Sequence, residues 1–250
     1  MGRTSGVSAS SLDDAAFERK RKDSKVVDLK DITNHPHRFG EMYFSSSSWD
    51  EDPYLNNPDA TMHFLEAFFA QPAYEVSILF PRCAFTRWVR QCREKRRREC
   101  IVLYAVLALG SIYAGNVFSP FAKLCAERAT QAVSFVDGKF SIAVIQARLL
   151  LAAYNHLIGK DTSGWDLSGS ATEMIRAMRL NSEEGCEEDL NEHTRRYYNF
   201  SREQLKECRR RIFWTAFLVE VSSLENSSEL IVTSISGSRV SLEVSFVPYS

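Results

Sequence analysis

The 250-residue sequence predicts an all-α fold: a packed multi-helix domain with a disordered N-terminal lead-in and an irregular, short-stranded C-terminal tail. Three observations point there. Between residues 55 and 220, apolar residues recur at three- and four-residue spacing in six or seven separate stretches. Several stretches are preceded by a helix-start signal, a polar cap or a proline. Repeated strand-helix alternation, which a parallel sheet would require, is absent.

Residues 1–54 read as a disordered tail or linker, because charge is scattered there among serines, a His35-Pro-His37 pair and the tract Ser45 to Ser48. Asn57-Pro58 then opens the first helix, with Met62, Leu65, Phe68 and Phe69 at helical spacing up to Pro72. Val76 to Phe80 is compatible with an extended segment or with a loop packed on the core. Pro81 starts a helix that sets Phe85, Trp88 and Val89 on one face. Glu99 to Gly115 is apolar on most of its surface, which places it near the centre of the domain. Ser119-Pro120 opens a helix in which Leu124, Cys125, Arg128, Ala129 and Ala132 keep the 3.6-residue period, with Gly138 as its limit.

Ser141 to Ile158 carries a broad apolar stripe closed by Gly159. Trp165 to Leu180 follows, where Gly169, Ala171 and Ala177 are small enough for a close helix crossing. A mid-helix glycine costs about 1 kcal/mol, so Gly169 implies a packing reason or a break. Glu183 to Asp189 reads as an acidic loop. Ser201 and Gln204 form a capping box ahead of Leu205, Cys208, Ile212, Ala216 and Val219, and this last helix is expected to reach about Glu220. Residues 221–250 are a divergent segment, loosened by Ser222, Ser223, Ser227 and Ser228 before Val240, Leu242, Val244 and Phe246 alternate as in a short strand.

Composition narrows the function. A formal net charge of -1 gives no overall basic surface, so any DNA contact would have to come from a local patch. Cysteines 83, 92, 100, 125, 186 and 208 form no CxxC or CxH pair, and the five histidines make no HExxH motif or facial triad; no metal ligands are assigned. The first thirty residues lack the apolar core of a secretory signal, which points to a reducing compartment. Ile101 to Ala114 falls short of the roughly 20 residues a bilayer helix needs, so no membrane partner is expected. Gly159-Lys160-Asp-Thr162 lacks the glycines of a phosphate-binding loop, no GxSxG elbow exists, and no catalytic or cofactor-binding residues are assigned.

One basic run stands out. Arg93, Lys95, Arg96, Arg97 and Arg98 fit a nuclear import signal or phosphate patch, but fit better the solvated flank of the apolar helix that follows. Arg19 to Lys22 is a weaker run of the same kind. Arg209, Arg210 and Arg211 project about 100° apart on a helix and cannot address one groove, which favours a scaffold role with acidic partners in the 183–189 segment.

Four segments resemble the fungal-specific transcription factor middle domain. Ile78 to Phe85, with Pro81 and Phe85, resembles its proline-containing segment; Leu103 to Gly110 its apolar helix ending in a small residue. Trp165, Gly169 and Ala171, continuing through Met174, Ala177 and Leu180, resemble its tryptophan, glycine and alanine helix. Arg209-Arg210-Arg211-Ile212-Phe213-Trp214 resembles its basic turn leading into Ile-Phe-Trp. The resemblance covers roughly residues 60–220. In place of the family's acidic residue and Gly-Arg-Pro turn, this chain has Glu220 followed by serines.

The resemblance implies a nuclear regulator of transcription by RNA polymerase II, acting through intramolecular or protein-protein contacts. Its partners would be transcription machinery, other regulators or a second copy in a homodimer. DNA would be bound only indirectly, because the family's two-zinc six-cysteine cluster is not in this chain; zinc is implied only for such a DNA-binding module elsewhere. The competing readings are a helical small-molecule-binding protein or enzyme, which would need convergent carboxylates or a pocket, and a truncated, nonfunctional regulator. The resemblance favours a non-enzyme.

Overall fold

The computed structural model describes residues 51–71, 75–136, 140–187 and 194–232. Those residues hold nine α-helices, three 3-10 turns and no strand. In chain order the helices are α1 (Pro53–Asn56), α2 (Pro58–Ala70), α3 (Arg82–Gln91), α4 (Arg97–Ala114), α5 (Ser119–Phe135), α6 (Ile142–Leu157), α7 (Asp161–Ala177), α8 (Glu183–Glu187) and α9 (Arg202–Val232). The 3-10 turns are Glu75–Leu79, Asn116–Phe118 and Thr194–Asn199. The all-α architecture expected from the sequence is the one observed.

α4 is the axis of the fold. Every residue from Glu99 to Ser111 is buried, because α2, α5 and α6 pack around it. A helix that is apolar on all sides gains from such enclosure in a way that an amphipathic surface helix would not. At Gly110 the packing is closest: a Cβ there would overlap the main-chain carbonyl of Phe64 on α2. Only glycine lets the two backbones approach this far, and that packing offsets its helix penalty of about 1 kcal/mol. α7 lies along α6, and α9 crosses both while covering the Glu75–Leu79 turn.

The starts of three helices are capped as their residues dictate. Asn57 Oδ1 accepts the Ala60 N–H at 3.0 Å, and Ser141 Oγ accepts that of Val144 at 3.3 Å. The Ser201–Gln204 capping box closes in both directions, at 3.0 and 3.2 Å. Each cap satisfies a donor that the helix itself leaves open.

Several boundaries differ from the sequence reading. Val76 to Phe80 is neither extended nor a loop; its first residues belong to a 3-10 turn whose Val76 and Leu79 are buried, and Phe80 follows them into the core. α7 begins at Asp161 rather than Trp165, and Asp161 suits the first turn of a helix by its charge. The expected acidic loop contains α8, whose first turn carries Glu183 and Glu184. α9 continues past Glu220 to Val232, since serines in a row weaken a helix without stopping it as proline would. The ordered body also starts earlier than residue 55: Asp52 caps α1 by accepting the Tyr54 N–H at 3.0 Å. Gly138, Arg19 to Lys22, the His35-Pro-His37 pair and the Val240 to Phe246 alternation lie outside the described residues.

The crossing of α6 and α7 is made by a glycine other than the expected one. Gly169 is exposed, and a Cβ there would meet nothing within 4 Å; Ala177 is also exposed, while Ala171 is buried. Gly164 holds the crossing instead, with the His156 ring 2.6 Å from where its Cβ would stand. Helical phase explains the shift, since Gly164, Ser168, Ala171 and Ile175 share one buried stripe.

Candidate functional site

The basic run is built into the fold. Lys95 has no solvent-exposed side-chain area, and its ammonium donates to Asp52 Oδ2 at 2.8 Å and to the Cys92 carbonyl at 3.0 Å. The same ammonium lies over the rings of Tyr54 and Trp88, 5.1 and 5.4 Å from their centroids. Burial nevertheless pushes the Asp52 carboxyl above its usual range, outweighing the adjacent cation. Arg96 is the N-cap of α4, where its N–H donates to Glu99 Oε2 at 2.8 Å, and its guanidinium stacks over Tyr197. Arg93 and Arg97 are exposed and Arg98 is half-buried. The run is therefore not one uniform solvated stripe.

Asp52 belongs to a short strap, Glu51 to Tyr54, that lies against α4. The Tyr104 hydroxyl donates to the Glu51 carbonyl at 2.9 Å, and Arg128 reaches both that hydroxyl and the Glu51 carboxylate, at 3.5 and 4.0 Å. Residues 51–54 are thus held by α4, α5 and the segment between α3 and α4. Sequence spacing gave no sign of this, because the partners are 43 to 77 positions apart.

A second cluster centres on Tyr198. Its ring is buried against Phe80, Phe85, Trp88 and Phe200, with the Trp88 centroid 4.8 Å away at an interplanar angle of 80°. Its hydroxyl donates to Gln146 Oε1 at 2.7 Å, and its backbone N–H donates to Glu99 Oε1 at 2.9 Å. Gln146 is itself oriented: its amide donates to Cys208 Sγ at 3.1 Å, and that thiol points at the Leu79 carbonyl, 3.7 Å away. Burial pushes the Cys208 thiol up to about 12 and raises both the Tyr198 phenol and the Glu99 carboxyl, which favours the uncharged forms.

The main chain that delivers this ring is strained. Tyr198 and Asn199 have φ of 53° and 51°, the left-handed region, where an L residue pays roughly 1–2 kcal/mol. Gln146, a polar residue inside an apolar stripe, was the signal in the sequence that could have marked the cluster. Nothing adjacent to Tyr198 did.

The three arginines of α9 go to three destinations. Arg209 is buried and donates to the carbonyls of Gly185 and Cys186 at 3.2 and 3.3 Å. Arg210 grips Glu183 with two hydrogen bonds, at 2.8 and 2.6 Å, and holds that carboxyl below its usual range. Arg211 donates to Glu207 at 2.8 Å and to the Ile78 carbonyl at 3.3 Å. Lys206 adds ion pairs to Glu183 and Glu187. Together these side chains bind α8 and the 3-10 turn before α3 onto α9.

Of the remaining family-like residues, Pro81 precedes α3 as its N-cap, and Phe85 is buried in stacked contact with Phe80 at 4.2 Å. Trp165 stands edge-on to His156. Phe213 packs against the core, whereas Trp214 and Phe217 are half-exposed and meet each other edge to face. Among the described residues no group of three or more His, Cys, Asp or Glu side chains is placed to hold a metal ion, and no helix is long and apolar enough to cross a membrane.

Comparison with known proteins gives one match. The family model described as the fungal specific transcription factor domain matches residues 90–225, from the end of α3 into the second half of α9. No curated protein and no solved structure matches. Matched over more than half of its length, and folded as an all-helical body across that span, the chain belongs to the fungal specific transcription factor domain family of transcription regulators.

Proposed function

We propose that this helical body controls transcription by RNA polymerase II in the nucleus through protein-protein or intramolecular contacts, with DNA read by a module outside this chain. The observation that carries the reading is the lock between Lys95 and Asp52. It takes Lys95 out of a basic run in which Arg93 and Arg97 stay exposed, and with the Tyr104 hydroxyl it ties residues 51–52 to the central helix and the segment before it. A body that transmits a signal needs a firm connection to what it regulates, and the buried pair supplies one at this end of the described residues. Other regulators, components of the transcription machinery and a second copy of the chain are the partners this reading admits.

The experiment tethers the full chain to an unrelated DNA-binding domain and measures a polymerase II reporter carrying that domain's site, alongside a mobility-shift assay of the untethered chain. The reading expects altered reporter output and only weak, sequence-independent DNA binding. Sequence-specific DNA binding by the untethered chain would overturn it.

A further inference from the structure

Tyr198 fills its aromatic box much as a bound molecule would. Its ring contacts Phe80, Phe85 and Trp88, none of them on its own segment, and its hydroxyl is read by one oriented acceptor. The residue sits outside the long helices, and its N–H is held by the Glu99 carboxylate instead of by a helical ladder. Among the described residues the positive-φ non-glycines are Arg179, Tyr198 and Asn199, so two of the three are consecutive at this box. Strain of this kind gathers at ligand clamps and switch segments. One wall group is also left unanswered: Trp88 is buried, and its Nε1–H meets no acceptor among the described residues.

We propose that the box is a binding site for a small neutral phenol, entered when Tyr198 swings out, with the native tyrosine acting as a built-in competitor. The walls select the class. Gln146 turns its Oε1 to the box while its amide donates to Cys208 Sγ, so in this arrangement it accepts from whatever occupies the box. The buried walls disfavour phenolates and carboxylates, as they do the ionised form of Tyr198 itself. Stacked and edge-on rings favour an aromatic body over an aliphatic alcohol. When the tyrosine leaves, its relaxed backbone and the freed Glu99 contact alter the segment leading into α9. Ligand occupancy is thereby coupled to the longest helix of the body. This site extends the regulatory reading, but its test reads binding alone.

The test uses the full wild-type chain with p-cresol as probe and toluene as the hydroxyl-free control. Hydrogen exchange at the Tyr198 amide and tryptophan fluorescence are followed together. Saturable p-cresol binding should raise exchange at Tyr198 and be about tenfold tighter than toluene binding, the factor carried by one ordinary hydrogen bond. Gln146→Leu should bring the two probes to similar affinity, a change that a purely structural glutamine would not produce. If p-cresol leaves Tyr198 exchange unchanged in the wild type, the proposal fails; this holds even where Tyr198→Gly binds the probe, and the wild-type result decides alone if that variant does not fold. A silent tethered reporter would refute the transcription reading without bearing on this result.

Discussion

Lys95 and Asp52 form an ion pair at 2.8 Å from which solvent is almost wholly excluded, with the rings of Tyr54 and Trp88 around the ammonium. Such a pair costs desolvation on both sides, so its net worth is small; removing one partner is another matter. What the pair decides is therefore the penalty for losing one of its charges.

Asp52→Ala leaves a buried cation without its counter-ion and should destabilise the fold by about 3–5 kcal/mol. The double variant Asp52→Leu with Lys95→Met should be markedly more stable than that single variant. Urea denaturation of the three proteins measures both effects. Equal losses in the single and double variants would mean that packing at the strap, not the unpaired charge, sets the cost.

Burial lifts the Glu99 carboxyl above its usual 4.5, against the N–H groups of Tyr198 and Arg96 that pull it down. A carboxyl with a higher pKa folded than unfolded binds more protons in the folded state. Its stabilising contribution is full below about 4.5 and is lost as pH rises through the raised value. Asp52 acts in the same direction. Relative to wild type, Glu99→Gln should gain stability as pH rises from 4.5 towards neutrality. Paired urea midpoints across that range check it, and a constant offset would contradict the sign.

Two glycine-to-alanine changes should have opposite signs. Gly110→Ala drives a methyl into the Phe64 carbonyl, which cannot rotate away, and should cost about 1–3 kcal/mol or more. Gly169→Ala meets open space within a helix and should gain roughly 0.5–1 kcal/mol. Thermal unfolding of the two variants resolves the contrast.

On α9, Ile212→Ala removes a fully buried side chain and should cost about 2–5 kcal/mol. Trp214→Gln, two positions on, changes a half-exposed ring and should stay within about 1 kcal/mol of wild type. Should Trp214→Gln prove as damaging as Ile212→Ala, the exposed face of α9 is covered in solution.

Helix positions were legible because periodicity and caps are local: Asn57, Ser141 and Ser201 act within three residues of where they stand. The buried stripe Leu205, Cys208, Ile212, Ala216 and Val219 followed from the same rule. Gly169 was misread because the helix was started at Trp165, which left Gly164 outside it, and only helical phase against α6 shows which small residue is inside. Lys95 looked like part of a solvated run because its partner stands 43 residues away. Tyr198 was invisible for the same reason: Gln146 and Glu99 are 52 and 99 positions distant, and its left-handed backbone has no signature in a Tyr-Tyr-Asn sequence.

Because Gly110 meets α2 through main-chain atoms, the contact has no rotamer with which to yield. A displacement of α2 along this seam would have to be taken up by main chain, since no side chain there can give. α4 also carries Tyr104, whose hydroxyl holds the chain at Glu51. One rigid helix thus links the main-chain seam with α2 to the hydrogen bond that holds Glu51.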